Sequence, residues 1–135
     1  MGHFFRIVWL GLSIVMSFSA QSNEGAEKEG AVAGPQYIAL DPVLVNLEGK
    51  RHYLRANIQL LVDSAEHGEK MKQHMPAIRH SLIILFSGRN PEQISTVEER
   101  EKLRQSAKEE LKKTLQAHHA EAGLEDLFFT DFMVQ

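Results

Sequence analysis

The chain of 135 residues contains no cysteine. This absence excludes a thiolate nucleophile, a disulfide framework and any zinc or iron–sulfur site held by cysteine. It does not indicate a compartment, because chains without cysteine occur in oxidising and reducing environments alike.

An excess of basic charge is also missing. The chain has 15 Lys and Arg against 18 Asp and Glu, a formal net charge of -3. Nucleic acid is therefore not expected as a partner, since binding to phosphates needs clustered, uncompensated cations. The apolar share of 43% and the charged share of 24% are ordinary for a globular protein, and the length suits one domain.

Only the N-terminus has a long apolar run. The segment from Ile7 to Ala20 carries no charge, and it is shorter than the roughly 20 residues that a spanning helix needs. It fits the apolar part of a signal peptide, with small residues near Ala20 for cleavage. We interpret residues 1–20 as a signal peptide or a short membrane anchor. With Arg6 ahead of the run, both alternatives place the rest of the chain outside the cytoplasm.

The next segment, residues 21–36, is rich in Gly, Ala and Glu and has almost no large apolar side chain. Such a composition cannot bury enough surface to order itself, so we expect a flexible linker. The folded domain is then predicted at residues 37–135.

Two strands are predicted at the start of this domain. The segment from Tyr37 to Leu47 is rich in β-forming residues, and Pro42 makes it a bent strand or an edge strand. The segment from His52 to Val62 alternates between apolar and polar residues, which is typical of a half-buried strand. The turn around Gly49 should join the two as a hairpin.

A first helix is predicted to begin with a cap at Asp63 and Glu66 and to run to Phe86, kinked or restarted at Pro76. Residues 82–86 are apolar all round, so we expect burial on several sides. Its apolar stripe consists of Met71, Met75, Ile78, Leu82 and Leu85.

A second helix is predicted after a cap at Ser95 or Thr96. Its expected apolar stripe is Leu103, Ala107, Leu111 and Leu115, and its expected surface ion pairs are Glu98 with Lys102 and Glu109 with Lys113. A final strand is predicted from Leu124 to Gln135. The fold class is therefore α+β, a small antiparallel sheet of order β-β-α-α-β with two helices packed on one face.

No pattern indicates chemistry. The seven histidines show no metal-binding spacing, the serines lack a nucleophile motif, and the adjacent carboxylates lie on segments that are expected to be solvated. We predict no catalytic residue, no metal ligand and no cofactor, and hence a protein that is not an enzyme.

Some residues are predicted to matter for structure or assembly. Arg79 precedes an apolar run, so it should pair with a carboxylate such as Asp131 or pack its stem on apolar surface. The first strand is apolar on both faces, which makes Val43, Leu44 and Val45 interface candidates. The structural candidates are Pro76, Arg79, Leu82, Leu85, Phe129 and Phe132.

The order of several short motifs resembles one family. The motifs are Leu40-x-Pro42, Val45-Asn46-Leu47, Pro76-x-Ile78-Arg79, the run from Leu82 to Ser87, Thr96-x-Glu98, and Phe129-Thr130-Asp131-Phe132-x-Val134-Gln135 at the end. In this order and at these spacings they resemble the FliL family of flagellar basal-body proteins, from Tyr37 to Gln135.

This resemblance implies a stomatin-like, non-enzymatic domain on the periplasmic side of the bacterial inner membrane. It implies the stator and basal body of the flagellar motor as partners, assembly into homo-oligomers, and support of swimming, swarming and chemotaxis. The inner membrane would be a partner of the N-terminus if that segment is not cleaved. The alternative is a soluble periplasmic binding or scaffold module with the same fold, unrelated to the stator.

Overall fold

The computed structural model describes residues 34–49 and 51–135. Expectations for residues 1–20, and for the linker up to residue 33, lie outside the described residues. The elements are β1 (Gln36–Ala39), β2 (Val43–Asn46), β3 (Tyr53–Val62), α1 (Ala65–Gln73), α2 (Met75–Phe86), a short 3-10 helix (Glu92–Ile94), α3 (Val97–Ala117) and β4 (Leu124–Val134).

The sheet is built around β3, the longest of the first three strands. β4 pairs with one side of β3, and β1 and β2 follow each other along the other side, all antiparallel. The predicted hairpin is confirmed by the pairing of β2 with β3, closed by the bond from the Leu47 N–H to the His52 carbonyl at 2.8 Å. The α+β fold class is confirmed as an open four-stranded sheet with helices.

The first predicted strand is divided at Asp41 and Pro42. The register moves by one residue there, from Ala39 opposite Gln59 to Val43 opposite Ala56. Proline has no N–H for the ladder, so the pairing breaks and resumes with one extra residue. The extra residue also reverses which side chains face inward. Buried positions change from Ile38 and Leu40 before the break to Val43, Val45 and Leu47 after it.

The first predicted helix is also two helices. With the divided strand, and leaving the 3-10 helix aside, the order of the described elements is β-β-β-α-α-α-β rather than β-β-α-α-β. α1 ends at Gln73, and α2 restarts with Pro76 in its first turn, where a missing N–H costs nothing. The expected cap is wrong. Ser64, not Asp63, caps α1, and its hydroxyl accepts the His67 N–H at 3.3 Å.

α3 begins at the Thr96 cap, whose hydroxyl accepts the Glu99 N–H at 3.2 Å. All four residues of its predicted apolar stripe are buried. The expected ion pairs at a spacing of four are wrong, because the pairs form at a spacing of three, between Lys102 and Glu99 and between Lys113 and Glu110.

The core lies between the helices and one face of the sheet. Ile78, Leu82 and Phe86 of α2 are fully buried against it. The expectation that residues 82–86 are buried on several sides is wrong for Ile84, which is 64% exposed on the outer side of α2. No helix within residues 34–49 and 51–135 has the length and apolar character needed to cross a membrane.

Candidate interaction surfaces

No helix within residues 34–49 and 51–135 packs on one face of the sheet, and we call it the open face. Along β3 the even-numbered side chains are buried in the core. The odd-numbered side chains alternate with them and lie on the open face; they are Tyr53, Arg55, Asn57, Gln59 and Leu61. Large apolar side chains on β3 and on the neighbouring strands share this outward direction. Those exposed are Tyr37 at 62%, Leu44 at 63%, Tyr53 at 38%, Phe128 at 36% and Met133 at 38%.

Leu44 lies in a row that crosses three strands. It stands opposite Arg55 on β3, and Arg55 stands opposite Met133 on β4. The other two interface candidates of this strand face the core, since Val43 is fully buried and Val45 is 5% exposed. Of the three, only Leu44 offers apolar surface to a partner.

The sequence pattern alone does not single out the rest of the open face. The Tyr37 ring lies 6.2 Å from the Phe128 ring across β3. Near the middle of the face, the side-chain oxygen of Asn57 is buried without a hydrogen-bond partner in the described part of the chain, opposite Asp131. The available signal is the alternation of β3, whose polar side has aromatic neighbours on both flanking strands.

Arg79 ties α2 to the break between β1 and β2. One guanidinium nitrogen donates to the Asp41 carbonyl at 2.6 Å, and the other approaches the Pro42 carbonyl at 3.5 Å. The Asp41 carboxylate is 3.9 Å away and mostly exposed. The expected partner Asp131 is wrong, because Asp131 lies on β4, opposite Asn57 on the far side of β3 from this break.

The other structural candidates occupy the helix side of the sheet. Phe129 packs edge-on against Phe86 at 5.9 Å and against Phe132 at 5.1 Å between ring centres. Leu82 is fully buried, Leu85 is half-buried, and Pro76 is exposed at the start of α2. These positions are consistent with structural roles for the aromatic pair and Leu82.

A charged cluster joins α3 to β4. Arg104 donates to Asp126 at 2.6 Å, to the Leu127 carbonyl at 2.9 Å, and through two nitrogens to Glu101 at 2.6 and 2.8 Å. The hydrogen bond from Arg104 lowers the pKa of Glu101 to about 2. Desolvation acts to raise the pKa of Asp126, but bonds from the Leu127 N–H and from Arg104 together lower it. Sequence patterns do not predict this cluster, because its two elements are far apart in the chain.

His67 and His74 each contact one other titratable side chain. His67 and Asp63 share a contact of 2.6 Å that lowers the pKa of Asp63, and His74 stacks on His118 at 4.7 Å. Within the described ranges no group of three or more His, Asp and Glu side chains is placed to hold a metal ion.

The described domain is thus an α+β domain with a partly apolar open face, the kind of surface that commonly binds another protein. The chain matches the protein family described as flagellar basal body-associated protein FliL over residues 37–135. The flagellar protein FliL of Escherichia coli K12 is 22% identical over 143 residues, covering 96% of this chain and 93% of that protein. The flagellar protein FliL of Aquifex aeolicus is 30% identical over 104 residues, covering 76% and 62%.

The chain belongs to the FliL family of flagellar basal-body-associated proteins. The resemblance found in the sequence motifs is therefore confirmed. This membership supports a general role in association with the flagellum. It also supports a membrane-associated flagellar location.

Proposed function

We propose that this chain is a non-enzymatic accessory protein that supports the stator of the flagellar motor from the periplasmic side of the inner membrane. It acts by contact, either anchored through residues 1–20 or released after their cleavage. The observation that carries this proposal is the family match across the whole described domain, together with an open face that leaves Leu44 exposed.

The open face is the surface through which copies of the chain associate. Leu44 and Met133 lie on the two sides of Arg55, so the apolar stem of this one charged side chain adds to the apolar area of the row while its guanidinium extends to solvent. Burying the exposed part of such side chains gains roughly 25 cal/mol per Å² of apolar surface. Val43 and Val45 contribute by holding the strand to the core rather than by touching the partner.

Deletion of the gene tests the role. We expect cells that still build filaments but swim and swarm poorly, because the stator lacks support. Loss of the filaments would point to flagellar assembly instead, and normal motility would favour a scaffold module unrelated to the stator.

Export is tested separately. A reporter that is active only in the periplasm should be active when it is fused after Pro35. The size of the mature protein in membrane and periplasmic fractions distinguishes an anchor from a cleaved signal.

Leu44→Lys tests the open face, with Ile84→Lys as the matched control. The two side chains have nearly equal exposure, 63% and 64%, but Ile84 lies on the outer side of α2. We expect both variants to melt like the wild type, and only Leu44→Lys to lose crosslinked multimers and motility. A lower melting temperature with normal multimers for Leu44→Lys would contradict the interface.

A further inference from the structure

The outer edge of β4 is only partly covered. At Leu127 both backbone groups turn away from β3, and both are satisfied, because the N–H donates to Asp126 at 2.8 Å and the carbonyl accepts from Arg104 at 2.9 Å. This stretch of the edge is therefore closed to any added strand.

The C-terminal half of the edge differs. Gln135 and Tyr53 exchange two backbone hydrogen bonds, at 2.7 and 3.0 Å. Because backbone groups alternate in direction along an antiparallel strand, the N–H and carbonyl groups of Phe132 and Val134 point away from β3. Among residues 34–49 and 51–135, no hydrogen bond reaches these groups. An edge of this kind is a template for another strand.

A groove runs beside this open edge, between β4 and the first turns of α3. Phe128, Phe129 and Phe132 line it on the strand side, and Val97 and Arg100 line it on the helix side. Val97 is 76% exposed, the most exposed of the large apolar side chains in the described part of the chain. A side chain from an added strand would enter this groove directly.

Three charged side chains of α3 line the groove, Arg100, Glu101 and Arg104, and the last two pair with each other. The Arg100 guanidinium lies 5.0 Å from the centre of the Phe132 ring and donates to the Ile94 carbonyl at 3.2 Å. Within the described residues it forms no ion pair, whereas the neighbouring Arg104 is held by Glu101 and Asp126. Arg100 can therefore receive a carboxylate, which its planar group binds with two parallel hydrogen bonds.

A second copy of β4 does not suit this edge. The strand carries Glu125, Asp126 and Asp131 and no basic residue, so two such edges would bring like charges together.

We propose that the open edge of β4 binds an extended segment of another protein, which adds as a fifth strand and places an apolar side chain and a carboxylate in the groove beside Arg100. Backbone bonds to Phe132 and Val134 provide affinity, and Val97, Phe132 and Arg100 provide selectivity. This inference does not depend on the proposed motor role, because it concerns binding by the isolated protein.

The first test uses two synthetic capped peptides that alternate valine and threonine, one with a central glutamate and one with a central lysine, titrated into the full chain. The glutamate peptide should bind saturably and at least about tenfold more tightly than the lysine peptide. Arg100→Gln should remove this preference. Lys112→Gln, which makes the same charge change on an exposed position of α3, should retain it. No binding, or equal binding of both peptides by the wild type, would overturn the proposal.

The second test blocks the edge. Val134→Pro removes an N–H that points outward, so β4 should keep its pairing with β3 while peptide binding falls at least about tenfold. Ala39→Pro removes an outward N–H from the opposite edge of the sheet and should leave binding unchanged. If Val134→Pro does not fold, Val97→Ser at the exposed groove wall replaces it, and it should weaken binding because it removes apolar contact without adding charge. Unchanged binding in the edge or groove variant, or a dimer of the wild type that Val134→Pro abolishes, would overturn the proposal.

Discussion

Arg79 of α2 donates a hydrogen bond of 2.6 Å to the Asp41 carbonyl, at the point where the strand pairing breaks. The break leaves backbone carbonyls without ladder partners, and the guanidinium of a helix residue satisfies them. The same side chain thus compensates for the proline that interrupts the edge of the sheet.

Replacing Arg79 by alanine should lower the free energy of unfolding by about 1.5 to 3 kcal/mol, the usual range for hydrogen bonds to charged groups. Arg79→Lys should lose less, because one ammonium can still reach the Asp41 carbonyl. Urea unfolding of both variants measures the difference. An Arg79→Ala protein as stable as the wild type would show that water replaces the guanidinium without loss.

The sequence is sufficient to predict features that depend on local pattern. The apolar stripe of α3, the restart at Pro76 and the alternation of β3 each follow from spacing within one element. The partner of Arg79 cannot be predicted in this way, because it is a backbone carbonyl, and any residue type can offer one.

The open face can be predicted only in part. Leu44 is a surface candidate from the sequence, but so are Val43 and Val45, because the first strand looks apolar on both faces. Which face is buried depends on the extra residue at the break, which shifts the inward positions by one. That register is a property of the assembled sheet, not of the strand alone.

Leu82→Ala tests the burial of α2. Leu82 is fully buried, so removal of its side chain should lower the free energy of unfolding by about 2 to 5 kcal/mol. The control is Ile84→Ala on the same helix, where 64% exposure predicts a change within about 0.5 kcal/mol. Chemical denaturation of the pair measures both values. Equal losses would mean that the outer side of α2 is covered in solution.

The charged cluster predicts a dependence of stability on acid. Bonds from Arg104 lower the pKa of Glu101 from 4.5 to about 2, and the pKa of Asp126 is lowered as well. The unfolded chain therefore takes up protons first as the pH falls. The stabilisation is complete above pH 4.5 and is lost as the pH falls towards 2.

Arg104→Gln should reduce stability at neutral pH and flatten its decline between pH 4.5 and 2. Lys113→Gln is the control, because its contact with Glu110 spans 4.0 Å at an exposed position and should contribute little. Urea midpoints across this pH range provide the measurement. A decline in Arg104→Gln as steep as in the wild type would assign the acid sensitivity to other carboxylates, such as Asp63 beside His67.

Gly123 closes the corner where β4 begins beside the start of α1. Its φ of 89° lies in the left-handed region, and its carbonyl accepts the Asp63 N–H at 2.9 Å. A Cβ at this position would lie 2.5 Å from the His67 Cβ and 2.6 Å from an oxygen of Asp63. Gly88 has a similar φ of 70°, but a Cβ added there would have no neighbour within 4 Å. A substitution at Gly88 therefore measures the cost of backbone strain without the cost of crowding.

Gly88→Ala should therefore lose about 1 to 2 kcal/mol from the backbone alone. Gly123→Ala should lose about 1 to 3 kcal/mol more, because the added methyl group forces His67 and Asp63 apart. Thermal and urea unfolding of the two variants measure this difference. Equal losses would mean that the backbone at the start of α1 shifts away from residue 123 without cost and that the contact between His67 and Asp63 contributes nothing to the corner.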